Sequence, residues 1–285
     1  MRAFVMDAFS SRVFGGNQAG VVLPDRPLDD TLMRQIAAEF KHSETAFVSL
    51  EEDKTVRIKY FTPAGEVDLC GHATIASFAL LRALDMVGDG SHVARTRSGD
   101  LRIDVEGDTV WMDMAPPKLL RKLDDGECAE LLRAYGLALD AMPDGFTPEI
   151  ISTGLADIML PVRDHATLMA AVQDERAVTA LSRCYDCVGV HMFCPGDGAC
   201  TAYCSNFAPL YDIPEECATG TSNGALTYYL YRRGLIKSGE ENIFLQGEHM
   251  GRPSEIRSRL TVAGDGVLIR VGGRAVMSLR CELMI

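Results

Sequence analysis

Apolar and polar positions alternate along the chain in short runs that end at glycine, aspartate or proline. A period of two over roughly four to eight residues is typical of β-strands with one buried face. The pattern predicts strands over residues 3–9, 45–50, 56–61, 101–105, 110–114, 188–194, 256–262 and 267–271. Residues 101–105 and 110–114 are separated by a short turn, which predicts a hairpin. The regular spacing favours antiparallel barrels or sandwiches over alternating βαβ units.

Helical periodicity is confined to fewer segments. Residues 29–40 and 127–135 each place their apolar side chains on one stripe, as surface helices do. Residues 73–84 are apolar on every face, which predicts a buried helix threaded through a curled sheet.

Two parts of the chain share one longer pattern. The segment FTP at residues 61–63 leads into CGHA at 70–73 and the apolar helix. The segment FAP at 207–209 leads into TGTS at 219–222 and a second apolar helix. This repetition indicates an internal duplication and predicts two homologous halves, with a boundary near residues 115–117.

A glycine followed by small residues begins each of the two apolar helices, at Gly71 and at Gly220. The first N–H groups of a helix have no intrahelical partner, and the helix dipole places positive charge at that end. Such an end binds carboxylate or phosphate without a cationic side chain. Simple capping by Thr221 or Ser222 is the alternative interpretation. If the halves face each other, both helix ends would point into one cleft.

The two copies differ in the residue before the glycine. A racemase with two thiol bases would need a cysteine in each half, but the first copy has Cys70 and the second has Thr219. Cys217 lies two residues earlier and could replace the missing thiol. Glu44 stands at the mouth of an apolar strand, where a carboxylate is easily desolvated and suited to proton transfer. The same position would also suit an ordinary exposed glutamate.

The bulk properties exclude several classes of protein. The chain has 285 residues, of which 47% are hydrophobic, and a formal net charge of −12. The length suggests about two domains, and the hydrophobic share argues against disorder. The negative charge disfavours nucleic acid as a partner. No run reaches the roughly 18 apolar residues of a membrane-spanning helix, and no signal peptide is evident. We therefore expect a cytoplasmic protein without a membrane partner.

Nine cysteines fit buried or reactive thiols in a reducing compartment better than a disulfide framework. Five of them lie close together in sequence: Cys184, Cys187, Cys194, Cys200 and Cys204. The first two have the spacing of metal ligands, but no second pair follows at zinc-finger spacing. We interpret the cluster as buried strand cysteines and predict no metal site.

These segments together resemble the PhzF-like family, named for an isomerase of phenazine biosynthesis and related to diaminopimelate epimerase and proline racemase. The most specific matches are CGHAT at residues 70–74 and ATGTSNGAL at 218–226. The matching text follows the family's order over nearly the whole chain, at residues 14–22, 43–47, 62–74, 152–155, 207–209, 218–221, 246–247 and 251–254.

The resemblance implies an α+β fold of two pseudo-symmetric β-barrels, each wrapped around a central helix, as in diaminopimelate epimerase. One half would comprise residues 1–115, with a C-terminal strand at 275–285, and the other residues 116–274. The active site would lie in the cleft between them, and the protein would be a homodimer. The resemblance also implies that no metal, nucleotide or prosthetic group is involved.

The resemblance implies roles for individual residues as well. Glu44 would be the general acid/base that moves a proton between two carbons, and His72 and Glu216 would be further catalytic residues facing the substrate. The substrate-binding residues would be Asn17, Ser43, Gly71, Gly220 and Thr221.

The chain departs from the family pattern at Gln18, Ser205, Thr221 and the segment EEC at 215–217. The longer acidic side chain at Glu216 moves a carboxylate by about one methylene, so we do not expect phenazine synthesis itself. We expect an isomerase that transfers a proton on a small carboxylate substrate. The alternatives are an amino-acid or hydroxy-acid racemase or epimerase that uses Cys70 or Cys217, and a ligand-binding protein without turnover.

Overall fold

The computed structural model describes residues 1–264 and 266–285, and strands dominate a mixed α+β fold. The strands are β1 Arg2–Ala8, β2 Asn17–Leu23, β3 Thr45–Leu50, β4 Val56–Phe61, β5 Glu66–Val67, β6 Gly90–Thr96, β7 Gly99–Glu106, β8 Thr109–Asp113, β9 Lys118–Lys122, β10 Glu149–Ser152, β11 Ala156–Pro161, β12 Gly189–Pro195, β13 Ala202–Ala208, β14 Ile213–Glu216, β15 Glu241–Gln246, β16 Ser254–Ala263, β17 Gly266–Gly273 and β18 Ala275–Glu282. The helices are α1 Asp30–Phe40, α2 Gly71–Ala83, α3 Asp125–Arg133, α4 His165–Ala170, α5 Glu175–Tyr185 and α6 Gly220–Arg232.

The chain divides into two compact units. The first comprises Met1–Asp113 together with Gly272–Ile285, and the second comprises Met114–Val271. The C-terminal strand β18 belongs to the first unit because it pairs antiparallel with β1, from Arg2 opposite Glu282 to Ala8 opposite Ala275.

Parallel strand pairs are more common than the sequence pattern suggested. The pairs β2–β3, β4–β6, β11–β12 and β13–β15 are parallel. In each case at least one helix lies between the two strands in the chain. A helix carries the chain back to the starting end of the sheet, so the next strand enters in the same direction. The expectation of antiparallel barrels or sandwiches therefore missed these four parallel pairs.

The two units repeat one order of strand pairing. In the first unit β1 pairs antiparallel with β2, β3 with β4, β4 with β5 and β6 with β7. In the second unit β10 pairs in the same way with β11, β12 with β13, β13 with β14 and β15 with β16. The parallel pairs named above fall at matching places in the two units. This order supports the duplication inferred from the sequence.

The two apolar helices are the most buried helices of their units. In α2, nine residues from His72 to Leu81 are buried, and the helix packs against β1, β2, β3, β8 and β18. In α6, eight residues from Ser222 to Leu230 are buried, and the helix packs against β10, β11, β12 and β16. Burial of a large side chain such as Phe78 or Leu226 stabilises the fold by about 1.5–3 kcal/mol. The prediction of a buried helix over residues 73–84 is confirmed.

Most of the other predicted elements are also present. The hairpin turns at Gly107, with Val105 opposite Val110 and Glu106 opposite Thr109. The predicted surface helices correspond to α1, which Asp29 caps, and to α3, which begins with a capping box of Asp124 and Glu127. The sequence pattern missed α4 and α5. Among the described residues, every helix is too short or too polar to span a membrane.

Candidate active site

Two different elements bring Glu44 and His72 together in the first unit. Glu44 directly precedes β3, and its backbone carbonyl accepts a hydrogen bond from the N–H of Gly20 in β2 (3.3 Å). His72 is the second residue of α2. Its Nε2 atom lies 3.4 Å from Oε2 of Glu44, and the side chains are 6% and 20% exposed, respectively. A nearly buried imidazole therefore lies beside a carboxylate that remains partly accessible.

Ser43 and Cys70 complete the surroundings of the His72 ring. The hydroxyl Oγ of Ser43 is 3.5 Å from Nε2, and the thiol Sγ of Cys70 is 3.4 Å from Nδ1 and 3.8 Å from Nε2. Cys70 is buried. Because neutral imidazole donates from one nitrogen and accepts at the other, His72 can hold or pass on a proton among these three neighbours.

Asn17, also predicted to bind substrate, lies in the same unit as the first residue of β2 and is buried. Its position depends on the preceding Gly16, which has φ of +63°. A Cβ atom at residue 16 would lie 2.2 Å from the carbonyl oxygen of Ala8, so only glycine fits there.

Both glycine-led helices begin without a capping side chain. The N-cap residues are Cys70 for α2 and Thr219 for α6, and neither side chain accepts a hydrogen bond from the helix N–H groups. Capping by Thr221 or Ser222 is therefore wrong, because both lie within α6, and the hydroxyl of Ser222 donates to Asp157 instead (2.6 Å). No N-cap side chain therefore covers the first backbone amides of either helix.

Glu216 ends β14 in the second unit, and the loop after it is fixed by a buried amide. The Thr219 hydroxyl donates to Oε2 of Glu216 (2.5 Å). Gln246, which is 0% exposed, donates from Nε2 to the Glu216 carbonyl (2.7 Å) and to the Thr219 hydroxyl (3.1 Å). Its Oε1 accepts from the Asn223 amide (2.8 Å). These bonds hold the Glu216 carboxylate and the start of α6 in one arrangement.

A buried carboxylate lies under the start of α6. Asp157 of β11 is 2% exposed and accepts from Ser222 through Oδ2, while its Oδ1 has no hydrogen-bond partner of ordinary geometry among the described residues. Burial raises the pKa of Asp157 to about 6, and the nearby Glu216 carboxylate acts in the same direction. The hydrogen bond from Ser222 opposes this shift.

Two of the residues that depart from the family pattern, Ser205 and Glu215, lie in a second cluster in this unit. Ser205 Oγ lies 3.2 Å from Nδ1 of His249, and Oε1 of Glu215 lies 3.4 Å from the same nitrogen. Burial raises the pKa of Glu215, and His249 opposes the rise. Cys217, the second candidate thiol, is buried, and burial together with the Glu216 charge raises its pKa to about 11. Cys217 is therefore a thiol rather than a thiolate near neutral pH.

Among residues 1–264 and 266–285, one group of three side chains has the spacing of metal ligands: Glu44, Cys70 and His72, whose ligand atoms lie within 4.8 Å of one another. The five cysteines clustered in sequence form no such group in that part of the chain. Cys194 and Cys204 are buried on β12 and β13, as expected, whereas Cys184 is an exposed residue of α5.

The sequence analysis missed three residues of these clusters. Gln246 is part of the segment that matches the family, but its partners lie 23 to 30 residues away, so no local spacing indicates its role. Asp157 was missed because an aspartate within an apolar strand gives no periodic signal. His249 was missed because it lies in a loop between two strands. A buried charge in an otherwise apolar run, as at Asp157, is the one signal that could have been used.

Comparison with known proteins gives a consistent result. The family model described as phenazine biosynthesis-like protein matches residues 6–280. A Clostridium acetobutylicum protein named "Uncharacterized isomerase" is 32% identical, over 99% of this chain and 97% of its own. The structure of a Bacillus anthracis phenazine biosynthesis protein of the PhzF family superposes with a TM-score of 0.91 at 25% identity, covering 100% of this chain and 99% of that one.

Two further solved structures are similar to the chain. A predicted epimerase from Pseudomonas aeruginosa has a TM-score of 0.80 at 27% identity, covering 100% of this chain and 99% of its own. A probable proline racemase from Agrobacterium radiobacter has a TM-score of 0.64 at 12% identity, covering 100% and 93%, and shows a shared fold.

Proposed function

The chain belongs to the phenazine biosynthesis-like (PhzF) family and is an isomerase, and on this basis we propose that it moves a proton between two positions of a small carboxylate substrate. Glu44 would be the general acid/base. The observation that carries the proposal is the 3.4 Å approach of His72 Nε2 to the partly exposed Glu44 carboxylate. The family resemblance indicates the same residue.

In the proposed reaction, the Glu44 carboxylate removes a proton from one carbon of the substrate and returns it at another. The electron pair left on the substrate becomes an enolate-like charge, and its collapse at the second carbon completes the isomerisation. Protons and electrons balance within the substrate, so the reaction is redox-neutral and we propose that it needs no cofactor. Positioned proton transfer contributes typically about 10²–10⁴-fold to such a rate.

His72 would stabilise the protonated and the deprotonated form of Glu44 in turn. Its neighbours Ser43 and Cys70 give the ring a donor or acceptor at each nitrogen. The uncapped start of α2 adds backbone N–H groups and a positive dipole beside the developing negative charge.

Residues of the second unit would bind the substrate. The start of α6 at Gly220 and Thr221 carries no capping side chain, and we propose that it binds the substrate carboxylate. Glu216, fixed by Thr219 and Gln246, would bind a polar group of the substrate. The neighbouring Ser205 and Glu215, both in contact with His249, would set which substrate is accepted, because these two residues depart from the family pattern.

Racemisation by thiols is the second candidate function, and one observation favours it. Cys70 Sγ lies 3.4 Å from His72 Nδ1, and a thiol beside an imidazole is the usual arrangement of an activated cysteine. The second thiol that a two-base mechanism needs is less suitable, since burial raises the pKa of Cys217 to about 11. The geometry therefore favours Glu44 over a pair of cysteines.

The experiment that tests the proposed function has two stages. A library of small carboxylates is first screened for thermal stabilisation, since a ligand at a hundredfold excess over its Kd adds about 2.7 kcal/mol. Each stabilising compound is then incubated with the enzyme in D₂O. An isomerase changes the double-bond or hydrogen position and introduces deuterium at carbon to the extent that protonated Glu44 exchanges with D₂O before it returns the proton. A racemase introduces deuterium with inversion, and a binding protein introduces none.

A further inference from the structure

Three side chains that differ in chemistry converge at the start of α2. Glu44 offers a carboxylate oxygen, Cys70 a thiol sulfur and His72 an imidazole nitrogen, and these atoms all lie within 4.8 Å of one another. Cys70 Sγ and His72 Nε2 are 3.8 Å apart, and His72 Nε2 and Glu44 Oε2 are 3.4 Å apart.

These spacings fit a tetrahedral metal ion. With Zn–S bonds of about 2.3 Å and Zn–N and Zn–O bonds of about 2.0–2.1 Å, the sulfur and nitrogen ligands of one zinc ion lie about 3.6 Å apart. The nitrogen and oxygen ligands lie about 3.3–3.4 Å apart by the same geometry. Both measured distances are close to these values. Cys70 Sγ lies nearer Nδ1 (3.4 Å) than Nε2 (3.8 Å), so the Cys70 side chain must rotate toward Nε2 before one ion can contact all three ligands.

The positions of the three ligands in the chain are also suitable for binding a metal ion. Cys70 is the N-cap of α2 and His72 its second residue, so one helix start fixes two ligands, both nearly buried. Glu44 comes from a different segment, and its side chain is 20% exposed, so this ligand is partly open to solvent. Three protein ligands with an accessible fourth position are the arrangement that catalytic zinc sites share.

We propose that Glu44, Cys70 and His72 bind a thiophilic divalent cation, zinc above all, and that this binding reversibly inhibits the enzyme. Thiolate and imidazole ligands select zinc over magnesium or calcium, which prefer oxygen. Binding deprotonates Cys70 and engages the carboxylate of Glu44. The binding site does not depend on the proposed function, whereas inhibition rests on Glu44 being the proton-transfer residue.

Binding is tested with the full-length protein, Zn²⁺ and a competing chromophoric indicator, and in parallel with Co²⁺, whose thiolate complexes absorb in the near ultraviolet. We expect one tight zinc per chain and a cobalt–thiolate band. In Cys70→Ser and in His72→Gln we expect the cobalt–thiolate band to disappear and the zinc affinity to fall at least about tenfold. Cys184→Ser, which removes an exposed thiol of α5, is the matched control and leaves both unchanged.

Equal zinc affinity in the wild type, Cys70→Ser and His72→Gln would overturn the site, as would loss of the cobalt band in Cys184→Ser alone. If either variant at the start of α2 fails to fold, Glu44→Gln provides a third ligand variant, because Glu44 lies outside the helix. Retention of wild-type zinc affinity in that variant would also overturn the site.

Inhibition is tested separately by deuterium exchange with a substrate found in the screen. Stoichiometric zinc should stop exchange, and a chelator should restore it fully. Zinc that binds without affecting exchange would overturn the inhibitory part. Zinc that is required for exchange would overturn it too and would contradict the cofactor-independent mechanism. A chain that exchanges no substrate but binds zinc as described would leave the binding site intact and remove only the proposed function.

Discussion

Nε2 of His72 lies 3.4 Å from Oε2 of Glu44, although the two residues are 28 positions apart in the chain (72 − 44). Three features produce this approach: β3 begins directly after Glu44, α2 begins directly before His72, and both elements pack within the same unit. A carboxylate that lies beside a nearly buried imidazole can exchange a proton with it over a short distance. This relationship is the basis of the predictions that concern catalysis.

The thiol variants decide between the two enzyme mechanisms. We expect the double variant Cys70→Ala/Cys217→Ala to retain substantial deuterium exchange, because Glu44 rather than a thiol carries the proton. Some loss is expected, since Cys70→Ala removes the contact with the His72 ring. Exchange is measured by mass spectrometry of the substrate in D₂O. A double variant that is folded and binds ligand but exchanges nothing, while Glu44→Gln still exchanges, would replace the isomerase mechanism with the racemase mechanism.

Gln246→Leu tests the buried amide that fixes the Glu216 loop. Leucine removes the hydrogen bonds to Glu216, Thr219 and Asn223 and leaves buried polar groups without partners. We expect a loss of unfolding free energy on the order of 3 kcal/mol, measured by urea denaturation. Gln35→Leu, on the exposed face of α1, is the matched control, and its effect should stay within about 0.5 kcal/mol. Equal effects of the two substitutions would show that the network does not stabilise the fold.

Two buried groups, Asp157 and His191, should make opposite contributions to the pH dependence of the unfolding free energy. Burial raises the pKa of Asp157 from its ordinary value of 3.8 to about 6. Between these two pH values the folded state retains a proton that the unfolded state has lost. Asp157 therefore lowers the unfolding free energy as pH rises through this range. His191 acts oppositely: burial lowers its pKa from 6.5 to about 4, so its contribution to stability is present above pH 6.5 and is lost as pH falls. In the wild type these opposite contributions to the unfolding free energy largely cancel between about pH 4 and 6.

Asp157→Asn should remove the contribution of Asp157 to the pH dependence and leave that of His191. We expect the stability of this variant, relative to wild type, to increase between about pH 4.5 and 6 by on the order of 1 kcal/mol per pH unit. Urea denaturation at several pH values measures the difference. His191→Gln is the counterpart and should show the opposite slope relative to wild type. Parallel pH profiles for wild type and Asp157→Asn would mean that the Asp157 carboxyl has an ordinary pKa.

The sequence predicted some features of this fold closely. The bounds of β3 and β4 agree with the alternating pattern to the residue, because alternation reports directly which side chains are buried. The same pattern carries no information on which strand lies beside which, so the four parallel pairs were not predicted. The uncapped starts of α2 and α6 could be located because a glycine followed by small residues and an apolar helix is a local signal.

The chemistry at these helix starts was less accessible from the sequence. Glu44 could not be separated from an ordinary surface glutamate without the family resemblance, since its partner His72 comes from a distant segment. The contact of Cys70 with His72 depends on side-chain rotamers rather than on spacing. The network around Gln246 joins three segments through buried polar atoms, and such pairings follow from the fold rather than from any local pattern.

The most direct test of the account is deuterium exchange by Glu44→Gln with a substrate from the carboxylate screen. Glutamine retains the shape of glutamate but cannot carry the proton, so exchange should fall by at least about 100-fold while ligand binding, measured by thermal stabilisation, is largely retained. Glu39→Gln, an exposed glutamate of α1, should exchange at the wild-type rate. Exchange at the wild-type rate in Glu44→Gln would contradict the assignment of Glu44 as the acid/base residue.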